Sequence, residues 1–367
     1  MVSFRVAQGA QALEVSTETL RKDAEKAGIE LEYKSHGSTK ARVFYPEDLF
    51  EIARWRMNRV ENRVVNRAIM SIWNPKGGIG KTTMASNLSV LYALMGLKVL
   101  VVDLDFQGSL TLSMGYDSDI TPQEAKAYGV PEEKIVKYTL ANLLPSPVET
   151  ALIETRSLDD VVKKPWGDAG PHLVPADLML DHVDYLLLAV TLQGKQSDLL
   201  VSKWIADSRN GKNKLCDLSG YDIIIFDCPP SKNRLTRAAL LASDMVVSPV
   251  RFDYFSSKSL SYLVHVLEDM QETYGTRPEL AIVGNEHDAG RIRSSLHVTS
   301  LAQTYGDSLL PQTVRRSEDV PKALDAVERA PISLSKPSSP AAQDFRSVAK
   351  MLMERLNIVI PKGAHRG

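Results

Sequence analysis

At 367 residues the chain is long enough for about two domains, taking ~150 residues for each. An apolar fraction of 44% suits a globular protein, and a net charge of −1 requires any nucleic-acid surface to be local. Cys216 and Cys228 are the only cysteines, which excludes a disulfide framework or a cysteine-built metal site. No apolar run approaches the ~18 residues of a membrane helix, so with no signal peptide at its start the chain is expected in the cytoplasm.

Residues 6–13 read as a short helix, 14–16 as a turn, and 17–27 as a second helix closed by Gly28. Ser16 is a suitable N-cap, and Glu14 and Glu18 suit a helix start. Ala7, Ala10, Val15, Leu20 and Ala24 fall where the two helices would pack. Residues 29–34 and 41–45 look like strands around a turn-rich loop, and Pro46 opens a helix carrying Leu49, Ile52, Trp55 and Met57. This order resembles the winged helix-turn-helix domain of MerR-type regulators, most clearly in Val15-Ser16-x-x-Thr19-Leu20-Arg21. The resemblance implies a DNA-groove face of Thr17, Thr19, Arg21, Lys22 and Lys26, with Lys34, His36, Lys40 and Arg42 on the wing. The same module also serves protein contacts. A glycine common at the turn is Glu14 here, which demands a left-handed backbone or a shifted turn. The expected division is a winged domain over 1–53, a linker helix over 54–67, an α/β domain over 68–357 and a tail over 358–367.

An apolar strand from Ala68 meets Pro75-Lys76-Gly77-Gly78-Ile79-Gly80-Lys81-Thr82-Thr83, which opens into a helical pattern through Leu94. Strand, glycine loop and helix are what a phosphate cradle needs: backbone N–H groups unobstructed by Cβ atoms, and a helix N-terminus. Lys81 would reach phosphate oxygens and Thr82 would ligate Mg²⁺. The Lys-Gly-Gly-x-Gly-Lys-Thr-Thr form resembles the deviant Walker A loop of the ParA/MinD family. That family implies a doubly wound, mostly parallel P-loop sheet with helices on both faces. It also implies nucleotide binding by residues 76–83 and a second role for Lys76, which crosses to the nucleotide of a partner subunit.

Residues 97–103 form a buried-strand pattern ending in Asp103, and Asp105-Phe106-Gln107-Gly108 follows. Ligands of an open parallel sheet sit beyond the strands' carboxyl ends, so both acids point at the nucleotide. By resemblance, Asp105 positions the attacking water and Asp103 orders the metal shell; a phenylalanine stands where the family often has proline. Residues 114–162 resemble an insert of plasmid members. Residues 171–177 read as strand and turn, with a helix through Leu186 and Leu188. Gly220-Tyr221-Asp222-Ile223-Ile224-Ile225-Phe226-Asp227-Cys228-Pro229-Pro230 is a central strand ending in a Walker B acid, which makes Asp227 a metal residue. The cysteines do not reproduce the pattern of the iron–sulfur relatives. Residues 244–250 and 280–285 are further strands. Resemblance assigns Asn285 to the adenine edge and Pro311 to the far side of the base pocket. Arg315 and Arg316 are either nonspecific DNA contacts or solvated charges. Residues 338–356 read as a closing amphipathic helix, after which the tail lacks a basic membrane-binding pattern.

Together these features resemble the larger plasmid-type ParA partition ATPases. The implied protein is a Mg²⁺-dependent ATP hydrolase that forms an ATP-dependent homodimer and binds chromosomal DNA nonspecifically. A ParB-type centromere-binding protein stimulates it, and the N-terminal domain represses its own operator. A MinD-like membrane-positioning ATPase and a nucleotide-sensing transcription regulator are the alternative classes.

Overall fold

A computed structural model describes residues 3–36, 39–60, 66–144, 153–194, 196–287, 292–325 and 329–359. The chain opens with β1 (Phe4–Arg5), α1 (Val6–Ala12), α2 (Thr17–Lys26), β2 (Glu32–His36), β3 (Thr39–Phe44) and α3 (Pro46–Asn58). Ser16 caps α2 by accepting from the Thr19 N–H at 3.0 Å. At the other end Gly28 turns left-handed, and the Ile29 N–H returns to the Ala24 carbonyl while Ile29 packs on the core. That helix stop uses the residues expected to start the first wing strand. Pairing therefore begins at Glu32 opposite Val43, and β1 adds a third antiparallel strand beside β3. The helix from Pro46 runs unbroken to Asn58, so a boundary at 53/54 would cut it. Residues 66–67 are not helical, and residues 61–65 of the expected linker helix lie outside the described residues.

Then follow β4 (Ala68–Ile72), α4 (Lys81–Leu94), β5 (Val99–Asp103), α5 (Ser109–Ser113), α6 (Pro122–Tyr128), α7 (Leu140–Leu143) and α8 (Leu158–Val161). Next come β6 (His172–Val174), α9 (Met179–Leu192), α10 (Ser197–Arg209), β7 (Ile223–Asp227), α11 (Arg234–Ala242), β8 (Met245–Val250) and α12 (Tyr254–Tyr274). The chain closes with β9 (Glu279–Gly284), α13 (Ile292–Tyr305), α14 (Asp319–Asp325), α15 (Ile332–Ser335) and α16 (Pro340–Arg355). Strands β4 to β9 form one parallel sheet in the order β6-β5-β7-β4-β8-β9. Successive strand residues face opposite layers: Met70 and Ile72 pack with α4 and α16, whereas Ile69 and Trp73 pack toward α9 to α12.

The first core layer also contains Phe4, Leu20, Phe44, Leu49 and Met57, so the N-terminal segment shares its apolar core with the sheet domain. Helix α3 lies directly on the end of α4. A Cβ on left-handed Gly96 would come within 2.6 Å of the Ala53 carbonyl oxygen. Arg54 donates to the Leu97 carbonyl at 2.9 Å. Helix α16, held on α4 by the Tyr92 hydroxyl donating to the Ala349 carbonyl, reaches back to the turn between α1 and α2. There Arg346, only 9% exposed, donates to the Ala12 carbonyl at 2.8 Å.

Glu14 accepts the left-handed conformation (φ 54°) and pairs with Lys350 at 2.8 Å and Arg346 at 3.4 Å. Burial alone would raise its pKa, but Lys350 and Arg346 hold it below the usual value. Its stabilising contribution is therefore present above the ordinary carboxylate range and lost as pH falls through the lowered value. Glu14→Ala keeps the backbone strain and leaves Arg346 short of a partner, so a loss of about 1–3 kcal/mol is expected in denaturant unfolding. Glu14→Gly removes the same pair but relieves about 1 kcal/mol of strain and should unfold later than Glu14→Ala. The reverse order would show that the left-handed backbone carries no strain to relieve here, and an unchanged Glu14→Ala would show that the ion pairs contribute nothing.

Candidate nucleotide and cation site

The glycine loop leaves β4 under the control of Asn74. Its Oδ1 accepts from the Lys76 N–H at 2.9 Å, while its Nδ2 donates to Ser248 Oγ at 2.9 Å. Gly78 and Gly80 both take positive φ, and Gly80 is the left-handed N-cap of α4. Lys81 is thereby the first residue of α4. It is 8% exposed, and its ammonium donates to the Lys76 carbonyl at 2.9 Å. Burial lowers its pKa, opposed chiefly by the charge of Asp227.

Asp103 and Asp227 end adjacent strands and are register partners across the β5–β7 ladder. Asp103 accepts from the Thr111 N–H and hydroxyl and from the Asp105 N–H, which fixes the turn into α5. Burial raises its pKa to about 7 against those hydrogen bonds. Asp227 is 1% exposed, and neither of its oxygens has a hydrogen-bond partner among the described residues. Burial and the Asp103 carboxylate push its pKa well up, against the smaller pull of the Thr82 hydroxyl and the Lys81 ammonium. A buried carboxylate with no donor, beside a threonine hydroxyl at a helix start, fits a hard divalent cation. Asp103 has both oxygens engaged by Asp105 and Thr111 and so holds the Asp105 loop.

A cavity of about 690 Å³ lies over the glycine loop and the start of α4, with Cys228, the residue after Asp227, also on its lining. Gly77, Gly78, Gly80, Lys81, Thr82, Thr83 and Asp105 line it, so the structure brings most of the expected site together. Ile79 instead buries its side chain. Asn285, expected at the adenine edge, is not among the residues lining the cavity. It is 4% exposed, and its amide donates to the Ile79 carbonyl at 2.8 Å from behind the loop. Pro311 is exposed and is not among the cavity's lining residues, because Leu310 and Val314 on either side of it bond along β9. The far wall is Val320, Ala323, Pro331 and Ile332, which sequence patterning did not single out. Asn87, whose amide bonds the Thr83 carbonyl and the Ser333 N–H, joins α15 of that wall to α4.

Lys76 does not project freely: its ammonium bonds both oxygens of Asp253 at 3.0 and 2.7 Å. No local pattern marks Asp253, which lies 177 residues from Lys76. Burial would raise its pKa, but the bonds from Lys76 and Ser256 hold it low.

On α2, Thr17, Arg21, Lys22 and Lys26 are exposed, although Lys22 pairs with Glu18 at 2.7 Å and the Thr19 hydroxyl is bonded to Ser16. Arg42 donates to the Tyr33 hydroxyl at 2.7 Å, and the side chains of Lys34, His36 and Lys40 lie outside the described residues. Arg315 and Arg316 are both exposed, but Arg315 is tied to Asp344 through three bonds.

Residues 67–282 match the model of a family described as an AAA domain. The cell division protein PomZ of Myxococcus xanthus is 26% identical over 94% of this chain and 95% of its own length. The chromosome-partitioning ATPase Soj of Thermus thermophilus is 28% identical over 78% of this chain and 96% of its own. Among solved structures, cobyrinic acid a,c-diamide synthase from Mycobacterium smegmatis, with a bound ATP analog and magnesium, superposes with a TM-score of 0.57. It is 22% identical and covers 80% of this chain and 96% of that one.

Replacing Asp227 by Asn removes an unpartnered buried charge and its repulsion from Asp103. The metal-free variant should therefore be more stable than the parent by about 1–2 kcal/mol. Raised folded-state pKa values give stability that is fully present below the unfolded value and lost as pH rises through the folded one. The gain should accordingly be larger at pH 8 than at pH 6 in denaturant melts, and a destabilised Asp227→Asn protein would contradict the orphan-carboxylate assignment.

Proposed function

Because this chain belongs to the ParA/MinD family of P-loop ATPases, we propose that it is a Mg²⁺-dependent ATP hydrolase that partitions DNA. The observation that carries this reading is the almost fully buried Asp227 carboxylate next to Lys81 and Thr82, which line a cavity together with the glycine loop and Cys228. Residues 76–83 wrap the triphosphate, Lys81 exchanges its bond to the Lys76 carbonyl for phosphate oxygens, and Thr82 and Asp227 hold the cation. When bound, Mg²⁺ supplies charge neutralisation at the phosphate oxygens. Asp105 lies on the cavity wall, where it orients the attacking water.

Lys76 gives the motor its dependence on a second copy. Held by Asp253 in the single chain, it leaves that partner and crosses to the phosphates of the facing subunit, offsetting charge that develops on the bridging oxygen. Asp253 thus competes with dimerisation. The α2 face binds operator DNA, exposed cations around Arg316 hold chromosomal DNA by its phosphates, and a ParB-type partner accelerates hydrolysis. A membrane-positioning reading is disfavoured because the apolar face of α16, with Phe345, Val348 and Leu352, is buried in the core. The near full-length match to PomZ supports a second reading of the cargo, in which the same motor positions cell division.

Lys76→Ala should lower turnover by roughly a hundredfold while ATP affinity stays nearly unchanged. Steady-state hydrolysis beside equilibrium binding measures both, and undiminished turnover would sink the crossing role. Arg21→Ala together with Lys26→Ala should abolish footprinting of the chain's own promoter and spare binding to random duplex. Deleting the N-terminal segment would not separate the two activities, since Phe4, Leu20, Phe44, Leu49 and Met57 belong to the shared core.

A further inference from the structure

We infer that Asn285 is a positioning residue that locks the Ile79–Gly80 peptide with its N–H directed into the phosphate cavity. This rests on the ATPase reading above and assigns Asn285 to the loop rather than to the base.

Glycine-rich loops form cradles easily, but the same freedom lets their peptide units flip. A flip at this position would aim the Ile79 carbonyl oxygen at the phosphates and repel them. Here that carbonyl accepts from Asn285 Nδ2 at 2.8 Å. The peptide is planar and trans, so the Gly80 N–H points to the opposite side from the carbonyl. Gly80 itself lines the cavity, with Asn285 packed behind it. The fit on that side is close: a Cβ on Gly80, at φ +86°, would lie 2.3 Å from Asn285 Nδ2. Asn285 is in turn fixed at the end of β9, its own N–H donating to the Val250 carbonyl at 2.7 Å. The buried side chain of Ile79 anchors the other end of the peptide. The donor orientation is therefore imposed by a residue of the sheet, before any phosphate arrives, in the sense of a preorganised anion site.

The test uses the full chain with Mg-ATP and Mg-GTP as probes in equilibrium titrations. Asn285→Asp replaces the donor by an acceptor that repels the Ile79 carbonyl, and Asn285→Ala removes the donor without adding charge. Both should weaken ATP and GTP by the same factor, about tenfold or more, leaving the ratio of the two affinities as in the parent. A changed ratio would make Asn285 a base reader and overturn the inference, as would unchanged affinity in both variants. In the unchanged protein, the Gly80 amide resonance should move on addition of Mg-ADP; an unmoved resonance in protein that has bound the nucleotide also overturns it, whatever the variants' folding. Failure of the parent to bind either triphosphate would instead remove the ATPase reading on which this one stands.

Discussion

Two carboxylates taken out of water side by side constrain everything around them. Asp103 and Asp227 end neighbouring parallel strands, and each is almost fully buried. The structure treats them unequally. Asp103 receives three donors from the following loop and becomes part of the scaffold, whereas Asp227 receives none and faces Thr82 and Lys81. Burial with hydrogen bonds makes one acid structural. Burial without them leaves the other with an unmet charge, which is the ground for proposing it as a cation ligand.

The loop above these acids has little side-chain substance of its own and borrows its shape from three asparagines. Asn74 holds the Lys76 peptide, Asn285 holds Ile79, and Asn87 ties the first turn of α4 to α15. Each amide can donate and accept at once, so each joins the loop or its helix to a different element. The cavity is thus defined by the body of the domain. Its outer wall, from α14 to α15, is carried on the same network.

The N-terminal helices are joined to this machinery through α4 and α16. Ala53 and Gly96 bring α3 against the end of the loop's own helix, and Arg346 and Lys350 bring α16 to the turn that aims α2. Buried apolar contacts and a largely desolvated guanidinium do not tolerate independent motion of the two parts. A displacement at the start of α4 has a short, packed route to the proposed DNA-reading face.

Local patterns were legible from the residues alone. Apolar runs ending in acids gave β5 and β7, glycine and lysine spacing gave the loop, and Ser16 and Pro46 marked helix starts, because each signal lies within one turn or strand. The wing strands slipped because Gly28 and Ile29 completed a helix cap whose contacts are tertiary. Only the folded chain decided what Lys76 and Ile79 touch. Their partners, Asp253 and Asn285, lie 177 and 206 residues away, and a carboxylate or an amide at a strand end carries no mark of the group it will meet. The sequence by itself determined the local chemistry of the phosphate site, while the sheet's strand order, which sets the distant residues side by side, decided how that chemistry is held.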